Sequence, residues 1–302
     1  MDRITQLEAF VRVVDRGSFS RVAEELRVQQ STVSKWIAAL EEELGTTLIE
    51  RTTRSQRVTE AGQRLYRRAQ AIVDEYEQAM GEARQGDEGL RGRIRISLPT
   101  VFGRLFVVPL LTALLREHPE LEVDMVLGDR YVNLVEEGFD VAVRVGVQVD
   151  STMRLHPLGS TPRRVVAAPA YLERQGTPET PSDLEQHDCL VHAAPGAQTL
   201  WRFTRNGRRV QATVRGRASI NHSEATLMLA REGLGVAMLA SWLVDPEIEA
   251  GRLVPILSDY EAPPAPFRAL TPPGRHLSRR VRRTLEHLRE GLAPLGRDPS
   301  SG

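Results

Sequence analysis

The sequence predicts an N-terminal all-α winged helix-turn-helix domain, one long connecting helix, and then a two-lobed α/β domain. Three observations predict it. Three short helical periods open the chain, the last two only a few residues apart. A run of apolar residues then recurs at alternating intervals of four and three. From Arg93 onward, strand-like alternation takes turns with helical periods.

The elements follow in order. Ile4, Leu7, Phe10, Val11 and Val14 keep a helical period that Gly17 stops. Ser18 or Ser20 can cap the next helix, whose apolar face is Phe19, Val22, Ala23 and Leu26. After a break at Val28-Gln29-Gln30, residues Val33, Ile37, Leu40 and Leu44 repeat up to Gly45, a helix stop. Leu48-Ile49 and Arg57-Val58 flank a polar segment, Arg51-Thr52-Thr53-Arg54-Ser55, and read as two tiny strands with a basic tip. Thr59 then caps a long helix, with Glu60 near the positive end of its dipole. Leu65, Ala69, Ile72, Tyr76, Ala79 and Ala83 form a heptad seam on that helix. The seam reads as a helix–helix dimer contact, because no apolar partner segment lies nearby in sequence. Packing on its own domain is the alternative. Gly81, Gly86, Gly89 and Gly92 mark a joint.

Beyond the joint, Arg93–Leu98 is a strand, followed by a helix to about His118 and a strand at Leu121–Leu127. Val132–Glu137 reads as a short helix and Asp140–Val145 as a strand. Pro157-Leu158-Gly159 and Thr161-Pro162 punctuate the chain. A second run starts at Val165–Ala168 and continues through a helix near Ser223–Glu232 and an apolar run at Val236–Ala240. Pro263, Pro264 and Pro266 break it. Arg268–Leu270 and a helix over Ser278–Leu292 close the chain. The pattern suggests a hinged clamshell, with ligands expected beyond the carboxyl ends of strands. The division this implies is 1–59 for the winged domain, 60–89 for the linker and dimerisation helix, and 90–302 for the α/β domain. Within the last, one lobe spans about 90–161 and 267–295, and the other about 162–266.

Composition bounds the function. The chain has 302 residues, 41% hydrophobic and 26% charged, as expected of an ordinary soluble protein with at least two domains. It has no apolar stretch long enough to span a membrane, and its start lacks the pattern of a signal peptide. Cys189 is the one cysteine, which rules out an intrachain disulfide and suits a reducing cytoplasm. Net charge is zero, yet residues 51–68 carry six Arg and one Glu beside Glu41, Glu42 and Glu43. Such a local patch can bind phosphates without a basic overall balance. A solvated helix face is the alternative.

Over about the first 65 residues the motifs are specific. Gly17-Ser18-Phe19-Ser20, Ala23-Glu24-Glu25-Leu26, Gln30–Ile37, Leu40-Glu41, Leu44-Gly45, Arg51 and Thr59-Glu60-Ala61-Gly62 resemble the LysR-type transcriptional regulators. Downstream, Leu134–Asp140, Ala168–Leu172 and Gly233–Ala237 are similar to that family's effector-binding domain. The resemblance covers nearly the whole chain except about the last ten residues. It implies a periplasmic-binding-protein-like effector domain, and dimers or tetramers on double-stranded promoter DNA. It also implies a small-molecule effector and, for an activator, contact with RNA polymerase.

With this resemblance, residues 30–44 are expected to be the recognition helix, its N-terminal residues reaching base edges in the major groove. Gln30 can pair bidentately with adenine and Lys35 can donate to guanine. Ser31, Thr32 and Ser34 are short enough for close approach. Arg51 is expected to hold phosphate or the wing base, and Arg54 resembles a wing residue that enters the minor groove. Family members usually carry Arg at the position of Lys35. Trp36 is unusual for the family, and two roles stay open: packing in the domain or facing DNA. The effector candidates are Ser97, Pro99, Thr100, Arg144, Val145, Gly146, Asn221, His222, Ser223 and Glu224. Exposed N–H groups at helix starts favour an organic acid. Plain structural roles compete: Thr100 and Ser223 as helix caps, and Arg144 paired with Asp124 or Asp140. His222 stands where relatives often have a polar amide.

Three other signals point less far. His187-Asp188-Cys189 with His192 matches no strong zinc spacing and reads as packing. Gly233-Leu234-Gly235 follows a helix instead of a strand, so it is a turn and no dinucleotide fingerprint. Arg279, Arg280, Arg282 and Arg283 read as a solvated face or as interdomain salt links, with a second nucleic-acid site as the alternative. An enzyme fused to a helix-turn-helix would need a nucleophile–base pair, a P-loop or a metal set, and the sequence offers none of them. No catalytic residue, metal or cofactor is therefore expected. A solute-binding protein is disfavoured by the N-terminal motif.

Overall fold

A computed structural model describes residues 2–51, 56–83, 89–146, 153–192, 200–216, 218–273 and 277–296. The chain divides into two compact units, Met1–Gly89 with Gly274–Arg279, and Leu90–Pro273 with Arg280–Gly302.

In the first unit, α1 (Arg3–Arg16) starts at Asp2, whose carboxylate accepts from Ile4 N, and ends at Gly17 in the left-handed region. Ser18 caps α2 (Phe19–Glu25) by accepting from Arg21 N. Then α3 (Gln30–Leu44) runs to a left-handed Gly45. Phe10, Val13, Phe19, Val22, Val33, Ile37 and Leu40 are buried together where the three helices meet. Strands β1 (Ile49–Arg51) and β2 (Gln56–Val58) pair antiparallel as the wing. The long helix α4 (Glu60–Ala83) follows, with Thr59 Oγ1 accepting from Gly62 N at 3.0 Å.

The structure corrects the heptad reading of α4. Ala69 is fully buried and, with Val73, belongs to the core formed by α1–α3, while Leu65 is half-buried against it. Tyr66 also hydrogen-bonds Asp15 of α1. The partner segment is thus α1, distant in sequence but adjacent in space. Ile72, Tyr76 and Met80, further along the same face of the helix, remain exposed. The Ala79 side chain lies outside the described residues.

The second unit holds two five-stranded sheets. In the first, β3 (Gly92–Leu98) lies between β4 (Leu121–Leu127) and β5 (Val141–Val145), parallel to both. Next to β5 lies β14 (Ala265–Thr271), antiparallel, and the edge is β6 (Arg154–Thr161). In the second sheet, β8 (Cys189–His192) lies between β11 (Ser219–Ile220) and β12 (Val236–Ala240), parallel to both. Then β7 (Arg163–Ala167) and β13 (Val254–Ile256) continue antiparallel. The chain crosses between sheets at Thr161–Arg163 and again between Ile256 and Ala265.

Helical segments α5 (Thr100–Phe102), a π-turn Gly103–Val107 and α6 (Val108–Glu117) run on from β3. Helices α7 (Pro169–Gln175), α8 (Ser223–Arg231) and α9 (Ser241–Glu249) belong to the second sheet's half. The last long helix is α10 (Arg279–Leu292), and Arg280 within it is buried and donates to Arg93 O.

Two segments depart from the sequence reading. Val132–Glu137 is a turn, not a helix. The Asn133 side chain accepts from Val135 N and Glu136 N, Glu137 N closes one turn on Asn133 O, and Gly138 turns left-handed. The segment around Pro157 is a strand, β6. Proline is tolerated there because β6 is an edge strand, paired with β14 alone.

Gly62 sits where α4 crosses the wing: a Cβ there would lie 2.2 Å from Leu48 O and 2.8 Å from Val58 Cγ1. Alanine is ordinarily the better helix former. Here Gly62→Ala is expected to cost about 1–3 kcal/mol by overpacking, read as a lower urea midpoint. An unchanged or higher midpoint would show that the wing yields freely.

Candidate nucleic-acid interface and effector cleft

The N-terminal turns of α3 present one polar face. Gln30, Ser31 and Lys35 are exposed, and Thr32 and Ser34 are half-buried. Residues 30 and 34, and 31 and 35, stand one turn apart on the same side of the helix. The opposite side, Val33, Ile37 and Leu40, is core. Trp36 is half-buried against that core, which favours its packing role. Between α2 and α3, Arg27 adopts a left-handed φ of 54°.

The wing is fixed to α3 by a carboxylate. Glu41 Oε1 accepts from Leu48 N at 2.7 Å and from Ile49 N at 3.1 Å. Ser34, Lys35, Ala38, Glu41, Thr47, Ile49 and Glu50 line a shallow depression between helix and wing. Glu41 thus has a structural task that its place in the acidic run Glu41–Glu43 did not reveal. Arg51 lies on β1, but its side chain, like all of Arg54, is outside the described residues.

In the second unit the effector candidates split into two groups. Ser97 and Arg144 are buried at the carboxyl ends of adjacent parallel strands. Arg144 Nη2 donates to Ser97 Oγ at 3.0 Å and Arg130 O at 3.3 Å, and Nη1 donates to Val143 O at 2.6 Å and Ser97 O at 3.4 Å. All four acceptors are neutral. Asp124 instead pairs with Arg93 and Arg95, and Asp140 accepts from Arg95 N, so the pairing of Arg144 with either acid is not found. Burial lowers the Arg144 pKa, offset in part by Asp129 through space. Gly146 is exposed at the end of the same strand, its N–H donating to Pro266 O.

The second group lies at helix starts. Pro99 precedes α5, and Thr100 N donates to Asp129 Oδ1 at 3.2 Å. Asn221 is exposed just before α8. His222, not Ser223, is the N-cap there: its Nδ1 accepts from Ala225 N at 3.3 Å. Neither Thr100 nor Ser223 is therefore the cap residue. His222 Nε2 is 3.6 Å from Asp129 Oδ2. Nearby, Phe106 meets Trp242 edge-on at 5.2 Å, and Phe102 lies 5.2 Å from Phe267. Sequence reasoning missed Asp129 and Trp242. The signal for Asp129 was its place just past the carboxyl end of the strand Leu121–Leu127.

Against known families, residues 4–63 match the bacterial regulatory helix-turn-helix protein, lysR family, and residues 87–293 match the LysR substrate binding domain. The chain belongs to the LysR family of transcriptional regulators. It is 35% identical over 291 residues to the HTH-type transcriptional regulator CrgA of Neisseria meningitidis, covering 95% of this chain and 96% of that one. It is 34% identical to PtxR of Pseudomonas aeruginosa over 98% of this chain and 94% of that relative. The solved structure of CrgA, a LysR-type regulator, superposes with a TM-score of 0.58 at 32% identity, over 97% and 99% of the two chains. This LysR-type regulator thus joins a helix-turn-helix DNA-binding domain to an effector-binding domain. No helix among the described residues is long and apolar enough to cross a membrane.

The His187–Cys189 segment is used in packing. Tyr171 Oη lies 3.2 Å from His187 Nδ1 and accepts from Asp188 N at 3.0 Å, and Cys189 is fully buried. The His192 side chain is outside the described residues. Burial pushes the Cys189 thiol up to about 12. Thiolate in the native state is then roughly a thousandfold scarcer than for an ordinary cysteine. Iodoacetamide at pH 8 should label Cys189 only after denaturation, as read by mass spectrometry; rapid native labelling would refute the burial. Glu41→Ala should cost about 1.5–3 kcal/mol, because two wing amides lose a charged acceptor. Chemical denaturation measures this, and a loss below about 0.5 kcal/mol would mean that water replaces the carboxylate.

Proposed function

We propose that this regulator reads promoter DNA with the first turns of α3 and couples that reading to a small organic acid held between the two sheets of its second unit. Gln30, Ser31, Thr32, Ser34 and Lys35 are the base-facing set, and Arg51 and Arg54 are the wing's phosphate and minor-groove set. The observation that carries the DNA reading is the sidedness of α3. Its polar first turns are exposed or half-buried while the other face, Trp36 included, is packed. Lysine at position 35 is a point charge, so guanine selectivity there is weaker than an arginine fork would give.

The effector set is Ser97, Pro99, Thr100, Arg144, Gly146, Asn221, His222 and Ser223. The acid reading is supported by Arg144, a buried cation whose hydrogen-bond partners are all neutral oxygens. Homodimers form through the exposed stretch of the apolar face of α4, Ile72, Tyr76 and Met80, with Leu65 and Ala79 in the same seam and Ala69 left to the core. Tetramers assemble from these dimers. The protein acts in the cytoplasm, without catalysis or a cofactor, and engages RNA polymerase where it activates.

A gel shift on DNA upstream of its own gene tests the DNA reading. Gln30→Ala is expected to weaken the preferred site by about 1–3 kcal/mol and relax one base position. Equal weakening on random DNA would remove Gln30 from the reading set.

A further inference from the structure

Three kinds of contact join the two sheets' halves near the cleft. The first is apolar: Val101 is buried in the second sheet's cluster, and Phe106 packs on Trp242. The second is the buried hydroxyl pair Thr161 Oγ1–Ser241 Oγ at 3.3 Å, beside the first crossing. The third is polar and partly exposed, and both of its members land on the start of α8. Asp129 reaches His222 at 3.6 Å, and Arg104 Nη2 reaches Glu224 Oε1 at 3.5 Å.

The polar contacts are tied into the backbone on both sides. Asp129 is seated on Thr100 N through its other oxygen. His222 spends Nδ1 on accepting from Ala225 N, so in the neutral ring Nε2 carries the hydrogen facing Asp129. Glu224 is in the first turn of α8 and Arg104 in the π-turn after α5, so both bridges end on the start of α8, one from the π-turn and one from the loop after β4 that Asp129 ties to Thr100. Both bridges are partly exposed, with side-chain exposures of 57% and 46% for Arg104–Glu224. Such pairs shift an equilibrium by only about 1.4- to 5-fold each. That is weak for a structural staple and suitable for a contact that must open. Thr100 and His222 are also effector candidates, so a molecule seated between them meets the Asp129 bridge first.

We propose that Asp129–His222 and Arg104–Glu224 form a two-point clasp between the halves of the effector domain, closed without ligand and opened when a ligand occupies the cleft. This rests on the cleft being the effector site. The clasp biases two arrangements of the domain, and the ligand shifts their balance by differing in affinity for them.

The test is a charge-swap cycle on the full chain without added ligand. Arg104→Glu and Glu224→Arg each place like charges together, and the double variant restores the pair in reverse. Amide hydrogen exchange is read over residues 100–107 and 222–227, and the footprint on DNA upstream of its own gene is read alongside. Each single swap should speed exchange in both segments about 2- to 5-fold and alter the footprint, and the double swap should return both toward wild type. Asp129→Asn, which keeps an acceptor for Thr100 N but turns an amide toward His222, should move both readouts in the same direction as the single swaps. Exchange unchanged in the single swaps, or faster exchange with an unaltered footprint, overturns the clasp. Failure of the wild-type chain to footprint any DNA would instead sink the regulator reading, while the exchange cycle still decides whether the bridges hold the halves.

Discussion

The second unit depends on one topological constraint: its chain must cross between the two sheets twice. β14 comes late in the sequence but lies between β5 and β6, inside the first sheet. The chain therefore leaves that sheet at Thr161 and has to return before Ala265. Two crossings restrict how the halves can move more than one would, yet leave room to hinge. Pro162 at the first crossing, and Pro263 and Pro264 before the second, limit the backbone conformations available there. Ligand candidates gather where this topology puts strand ends and helix starts face to face, which is where open α/β sheets bind ligands.

A second constraint shapes the first unit. In the proposed reading α3 has to pack and to read DNA at once, and period 3.6 lets it do both. Every third or fourth residue goes to the core, and the first turns keep Gln30, Ser31 and Lys35 exposed. Its position then needs fixing against the wing, since phosphate and base contacts must act together. Two side-chain caps do this. Glu41 holds the amides of Leu48 and Ile49, and Thr59 donates to Thr47 O while accepting from Gly62 N. The close approach this produces explains why the position after Ala61 is glycine.

Legibility of these features in the sequence followed the range of the forces involved. Local signals were readable: the caps Ser18 and Thr59, the stops Gly17 and Gly45, and the periods of α1, α3 and α8. The Asn206–Gly207 pair is an equally local signal that the sequence reading passed over: both residues have positive φ in the hairpin turn between β9 (Leu200–Arg205) and β10 (Arg208–Thr213). Nonlocal facts were not. The heptad on α4 marked an apolar face but gave no hint that α1 covers it at Ala69, because sequence spacing cannot say what packs on each stretch of a face. Pro157 argued against a strand, and only the knowledge that β6 is an edge removes that objection. Glu41 looked like one acid in a run of three, and its distinction is a wing that folds back beside it.

Arg144 brings these threads to the proposed effector site. A buried guanidinium is costly to desolvate unless opposite charge offsets it. Here the direct partners are carbonyl and hydroxyl oxygens, and the carboxylate of Asp129 acts only through space. Asp129 in turn is held by Thr100 N and faces His222. The same carboxylate therefore serves as distant counter-charge to a buried cation and as a bridge between the two halves. Any acid entering the cleft would add a second negative charge beside Asp129 while bringing new charge to Arg144. Repulsion pushes Asp129 away from the cleft, and attraction holds the newcomer in it. In the proposed clasp both effects favour the arrangement in which the bridge to His222 is open, so occupancy and opening would be coupled through one residue, with no relay of packed side chains between them.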